Sequence, residues 1–329
     1  MDAEAILHEL TYATDLPRVA LQAASAQRAE LLPKFLGVIE DHLGQEPGTR
    51  ASPTPLFFIF HLLGEWRERA AYRPLARLLR HPADEADAIF GDAIVETAHR
   101  VMAAVFDGDP QPLFDIILDP GVDEFIRSRM CEALAMITSR GELARDRVAR
   151  FLRDAYNDLL PQRESYVWVG WQSAIAMLGL GELKVLVKRA FARGFIDRFV
   201  LGFGDFEEDL KCCIKRPDEP SPRDNNEFEL FGDTVEELSG WACFAERGDE
   251  DQDEWRQLAE LDRILSEPHH NPFKACMGLF LSSRIFGLSP VLCSEQESRS
   301  SFRRLRSGSR SGRKGSRDRN GSKAWRPAA

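Results

Sequence analysis

Between residues 72 and 194 the chain repeats itself at an interval close to forty positions. Pro74-Leu-Ala-Arg-Leu-Leu-Arg-His-Pro82 returns as Pro112-Leu-Phe-Asp-Ile-Ile-Leu-Asp-Pro120. Ala133-Leu-Ala-Met-Ile, followed by Gly141-Glu-Leu, returns as Ala174-Ile-Ala-Met-Leu, followed by Gly181-Glu-Leu. A period of this length suits two helices and their connections. A lone helix pair cannot bury its own apolar face, so successive pairs must stack. The repeat therefore constrains architecture tightly and leaves chemistry open.

Apolar spacing agrees with helices. Residues 123–139 align Ile126, Met130, Ala133, Leu134 and Ile137 on one stripe. Residues 143–160 align Ala144, Val148, Phe151, Leu152, Ala155 and Leu159. The same reasoning predicts helices over 72–81, 91–106, 111–118, 166–180 and 182–193. Nearer the start, Asp2 caps a helix running to about residue 12, and Asp15 with Pro17 opens a second. Residues 26–43 keep a helical period that Pro33 is expected to kink or divide. Ser52-Pro-Thr-Pro55 opens the next helix, in which Gly64 leaves room for a close neighbour. Tyr166-Val-Trp-Val reads locally as a strand, but its kinship with the earlier repeat favours helix.

The expected fold is all-α. A HEAT-like solenoid of stacked helix pairs covers residues 1–204. An acidic helical segment over 205–268 packs on its end, with helices at 228–246 and 253–266 and a proline-rich loop at 215–226. Residues 269–329 form an irregular, disordered tail rich in Arg, Ser and Gly.

The formal net charge of −10 hides a split. Residues 298–329 hold eleven Lys/Arg and one acid, so the remainder carries −20. An acidic body repels phosphate backbones, and no nucleic acid is expected there. The tail has the charge to attract nucleic acid or anionic lipid, with only Trp325 after Phe302 to stack on bases. Residues 205–254 hold eighteen acids and five bases, which predicts a basic protein partner whose binding weakens as salt rises. Six cysteines and an acidic Met1-Asp-Ala-Glu start predict a reduced, cytoplasmic chain. Residues 275–293 are mostly apolar but contain Arg284 and Pro290; a central Arg costs about 2.5–3.5 kcal/mol on insertion, so no membrane is expected, this stretch being the one exception.

Three stretches resemble a known family: Leu56-Phe-Phe-Ile-Phe-His-Leu-Leu-Gly-Glu-Trp66, Gly91-Asp-Ala-Ile-Val-Glu-Thr97 and His270-Asn-Pro-Phe273. They are similar to the bacterial "domain of unknown function 1186" over roughly residues 1–270. The resemblance implies a HEAT-like helical protein and brings no catalytic residues. Some members continue into a zinc-binding SEC-C tail, but no Cys-x-Cys follows Phe273 here. The abrupt turn to Arg, Ser and Gly is what an altered reading frame in GC-rich DNA produces; resequencing the locus is the check.

Candidate chemistry is sparse. His61 and Glu65 share a helix face, as do Glu96 and His99, and the four would meet if their helices packed together. A metal-dependent or other enzyme would use that cluster; a buried histidine beside an acid is the plainer reading. His8-Glu9 is a single pair, too little for a two-iron site. Cys212, Cys213 and Cys243 with His269 and His270 lack closed-zinc spacing, and residues 246–254 lack the calcium-loop order. No cofactor or metal is expected, and no phosphate loop or nucleophile elbow occurs. Tyr166, Trp168 and Trp171 with Arg189 and Arg193 form the candidate partner-binding patch, because aromatics and Arg anchor interfaces; packing between repeats would explain the same residues. The expected function is a non-enzymatic scaffold binding a protein through its groove or acidic flank.

Overall fold

The computed structural model describes residues 1–46, 54–215 and 227–244. All of them lie in the first of two compact units, residues 1–293; the second, 294–329, falls outside the described residues. The described residues contain fifteen α-helices and no strand. The N-terminal helices are α1 (Ala3–Tyr12), α2 (Arg18–Ala26), α3 (Arg28–Leu43) and α4 (Leu56–Glu65). Then follow α5 (Tyr72–Leu78), α6 (Ala83–Phe90), α7 (Ala93–Glu96), α8 (Ala98–Ala104), α9 (Gln111–Leu118) and α10 (Glu124–Ser139). The last are α11 (Arg145–Asp158), α12 (Val167–Met177), α13 (Lys184–Ala192), α14 (Phe203–Lys215) and α15 (Thr234–Ser239).

Two rows organise the packing. In one, α4, α8, α10, α12 and α14 each touch the next; in the other, α3, α5, α9 and α11 do the same. The sequence repeats occupy neighbouring places, α5 beside α9 and α10 beside α12. Side chains about one repeat apart join across the boundaries: Arg28 to Glu68 at 3.0 Å, Arg73 to Asp107 at 2.8 Å and Arg80 to Asp119 at 2.7 Å. Arg77 pairs with Glu40 in the same manner. Exposed pairs of this kind contribute little to stability, so they record the register more than they enforce it.

Two helices of the central row, α4 and α10, have almost no solvent-facing side. Every residue of α4 from Leu56 to Gly64 is buried, and every residue of α10 from Ile126 to Thr138. Such helices belong in a core. Asp123 starts α10 by accepting from the Phe125 and Ile126 amides at 2.8 and 3.1 Å. Close approach needs glycine: a Cβ on Gly170 of α12 would lie 2.1 Å from the Ser128 carbonyl of α10. Gly64 faces Val101 in the same way, with the side chain 2.9 Å from the Cβ position. By contrast α11 carries a buried stripe of Val148, Leu152 and Ala155, with Arg147, Arg150 and Arg153 exposed.

Several expectations are corrected. The single helix expected over 91–106 is broken into α7 and α8, because Thr97 leaves the helical conformation (φ −129) where its hydroxyl meets His61. The acidic stretch 83–90 is an additional helix, α6. Pro33 does not divide the chain; α3 runs through it as one helix of 16 residues, and the break falls earlier, at Gln27. Tyr166 precedes helix α12, in line with the helical reading that the repeat favoured over the local strand reading. Between 228 and 244 only the six residues of α15 are helical, because side-chain contacts hold the rest in irregular form. Of the loop expected at 215–226 only Lys215 is described, and it closes α14; the rest of that stretch, the helix expected at 253–266, the apolar stretch 275–293 and the basic tail lie outside the described residues. No described helix is long and apolar enough to cross a membrane.

Candidate functional site

His61 sits in the middle of α4, fully buried. Its Nδ1–H donates to the Phe57 carbonyl at 2.8 Å, since a carbonyl can only accept, and its Nε2 takes the Thr97 hydroxyl at 2.8 Å. Burial lowers its pKa to about 4, the Phe57 carbonyl opposing. Rings of Phe57, Phe60, Phe231 and Trp241 enclose it at centroid distances of 4.6–5.9 Å. His61 is thus a neutral side chain with both ring nitrogens engaged.

The other three members of the polar quartet go elsewhere. Glu65 accepts from Ser25 at 2.7 Å and from the Thr234 amide at 2.9 Å. Glu96 keeps solvent contact at the rim, yet partial burial raises its carboxyl pKa against the pull of Arg129. His99 is fully buried, and its Nε2–H donates to the Glu227 carbonyl at 2.7 Å. Burial, then Arg129, hold its pKa well below the usual imidazole value, and its Nδ1 has no partner among the described residues. The four side chains share a region without bonding to one another. Among the described residues no group of three or more His, Cys, Asp or Glu is placed to hold a metal ion.

What converges on this region is a different set. Arg100, on α8, sends Nε to the Glu229 carbonyl at 2.8 Å and both terminal nitrogens to the Glu237 carboxylate at 2.6 and 2.7 Å. Its guanidinium also stands 5.7 Å from the Phe231 ring. Arg129, on α10, bridges Glu132 and Glu227, each at 2.7 Å. Burial works against the Arg129 charge, but the two carboxylates outweigh it and raise its pKa. Burial raises the Glu132 carboxyl in turn, against Arg129.

Residues 227–244 are therefore laid across α2, α4, α8 and α10 as a strap. Arg18 reaches Ser239 at 2.9 Å at one end. Its own Phe231 and Leu238 are buried, and its Trp241 and Phe244 lie 6.0 and 6.1 Å from Phe57. Arg100, Arg129, Glu132, Glu227 and Glu237 were not singled out from the sequence. The sequence signal was weak: Arg129 and Glu132 are three apart on α10, the spacing of an ordinary surface pair, and only burial sets them apart.

The candidate patch does not assemble. Trp168 and Trp171 are at 0% exposure in the core, donating to the Pro161 and Leu152 carbonyls at 3.0 and 2.7 Å. They cannot anchor a partner at the surface. Tyr166 is half-buried against Phe125, and burial pushes its hydroxyl up to about 12. Arg189 and Arg193 are exposed on and just after α13, Arg193 lying 5.3 Å from the Phe195 ring.

Residues 1–245 match the model of a family described as "Protein of unknown function (DUF1186)". The chain belongs to the DUF1186 family. An "Uncharacterized protein" of Chlamydia trachomatis serovar D is 26% identical over 250 residues, 73% of this chain and 96% of the relative. One of Chlamydia muridarum is 26% identical over the same length, with 97% of the relative covered. No solved structure matches. The DUF1186 match ends at 245, so it takes in the whole strap and stops short of the His270-Asn-Pro-Phe273 stretch.

Proposed function

We propose that this DUF1186 protein is a non-enzymatic helical-repeat scaffold that binds a protein partner along the face of the α4–α8–α10–α12 row. One observation carries the reading: His99 and Arg100 donate to main-chain carbonyls of residues 227 and 229, holding an irregular segment across three helices. Groups that grip a backbone this way suit recognition of peptide, because carbonyls are present in any sequence. The neighbour order of helices one repeat apart supports a HEAT-like superhelix, whose small rotation per repeat would extend that face. Glu227 and Glu237 are paired with arginines, so charge on this face favours an acidic partner over the basic one expected from composition. Cys131, Cys212 and Cys213 stand as thiols, which fits a reducing, cytoplasmic setting.

Site-specific photo-crosslinking in the native host tests the scaffold. A photoreactive residue at Arg69 or Arg140, beside the strap, should capture a protein; one at Arg77 or Arg150, on the other row, should not. Equal capture from both rows, or none from the first, removes the reading.

A further inference from the structure

We propose that residues 227–237 are a built-in occupant of a peptide groove on α4, α8 and α10, and that an acidic, phenylalanine-bearing segment of another protein takes their place. The inference rests on the scaffold reading and specifies the partner's chemistry.

The strap is held as a ligand is held. Its main chain contributes carbonyls at 227, 229 and 230 to His99 and Arg100. Its side chains contribute two carboxylates, Glu227 and Glu237, to two arginines that are each 8% exposed. Phe231 fills the space against His61 with its ring 5.1 Å away. Only α15, six residues long, provides regular structure of its own.

A groove emptied without replacement gives up a charge pair and several backbone bonds. A buried guanidinium stripped of its carboxylate is strongly unfavourable. Arg100 has no carboxylate other than Glu237 among its described bonds, so an incoming acidic segment that restores the pair is favoured over one that does not. Recognition of carboxylates by bidentate Arg selects the incoming chemistry.

The present occupant also fits imperfectly. With Nε2–H donating to the Glu227 carbonyl, the buried Nδ1 of His99 is an acceptor without a donor among the described residues. The strap's own Thr234 hydroxyl is buried without a partner among the described residues. Beyond Leu230 a cavity of 290 Å³ is lined by Arg67, Arg69 and Arg140, of which only Arg140 meets an acid, Glu142. Arg67 and Arg69 make no ion pair among the described residues. Arg67 moreover holds a left-handed backbone (φ 52), where glycine would be relaxed. The groove thus continues into cationic surface that residues 227–237 leave unused, and a segment with further acids beyond its phenylalanine would reach it.

The test uses the full chain with a protease site placed within residues 216–226. The probe is a fluorescent peptide of residues 227–244 carrying Cys243→Ser, followed by anisotropy before and after cleavage. The cut chain should bind the peptide at least about tenfold more tightly than the uncut chain, and Glu227→Ala with Glu237→Ala in the peptide should abolish that gain. If the cut chain retains its own fragment against excess peptide, or loses its helical circular dichroism on cutting, the strap is permanent core and the proposal falls. Row-specific crosslinks without exchange would leave the scaffold standing and overturn only the exchange. Exchange without crosslinks would do the reverse.

Discussion

Replacing Gly170 by alanine and, separately, Gly37 by alanine should move stability in opposite directions. Both glycines are inside helices, α12 and α3. Alanine is preferred over glycine in a helix interior by about 1 kcal/mol. At Gly37 nothing lies within 4 Å of the Cβ position, so that preference acts alone. The melting temperature should rise by roughly 2–4 °C for a domain of this size. At Gly170 the added carbon would sit 2.1 Å from the Ser128 carbonyl oxygen and 2.6 Å from its carbon. The obstacle is backbone, so relief requires α10 and α12 to part by more than an ångström. Overpacking of this kind costs about 1–3 kcal/mol or more. These two helices form the closest pairing in the central row, which puts the cost at the upper end, and the helical preference offsets part of it. The net loss should be at least about 2 kcal/mol, a fall of roughly 4 °C or more. Gly64→Ala should fall between, because its obstacle is the Val101 side chain, which can yield. Thermal and urea unfolding followed at 222 nm read all three. A Gly170→Ala protein as stable as wild type would refute the close helix approach, and a destabilised Gly37→Ala would refute the open space at α3.

Arg129→Leu should cost about 3–5 kcal/mol by leaving Glu132 and Glu227 without their cation, and a further Glu132→Leu should recover part of it; urea midpoints of both variants provide the comparison. His61 has a folded pKa of about 4 against 6.5 when free, so as pH falls the unfolded chain takes up a proton first. Its contribution is complete above pH 6.5 and about 2 kcal/mol of it is gone at pH 5, so the stability gap between wild type and His61→Gln should narrow by that amount between pH 7.5 and pH 5. The raised Glu96 and Glu132 carboxyls act in the opposite sense in both proteins and cancel from the comparison. Arg100→Lys cannot serve Glu237 and the Glu229 carbonyl together, so limited proteolysis should cut within 227–244 faster than in wild type. Asp123→Ala should lower stability by about 1 kcal/mol through loss of the α10 cap, measured by the same unfolding assay.

The helices were legible wherever one apolar stripe or one capping residue decided them. Asp2 announced α1, the stripe of Ile126, Met130 and Ala133 announced α10, and the repeat placed α5 beside α9 and α10 beside α12. The break at Thr97 was not legible, because it depends on a hydrogen bond to His61, 36 positions away. Trp168 and Trp171 illustrate a second limit. Core and interface favour the same aromatic types, and only burial separates them. The strap was invisible for a third reason. Its bonds join positions separated by 98 to 221 residues, and the acids at 227 and 237 look in sequence like any others in a solvated acidic stretch.

The bridge from Arg129 to Glu132 and Glu227 has a meaning for descent as well as for folding. A cation lodged between helices cannot be inherited independently of the acids that neutralise it. Relatives that keep the arginine should keep an acid at one or both of the matching places. Those that lose it should turn apolar at all three together, and in such lineages the groove would have changed the kind of chain it accepts.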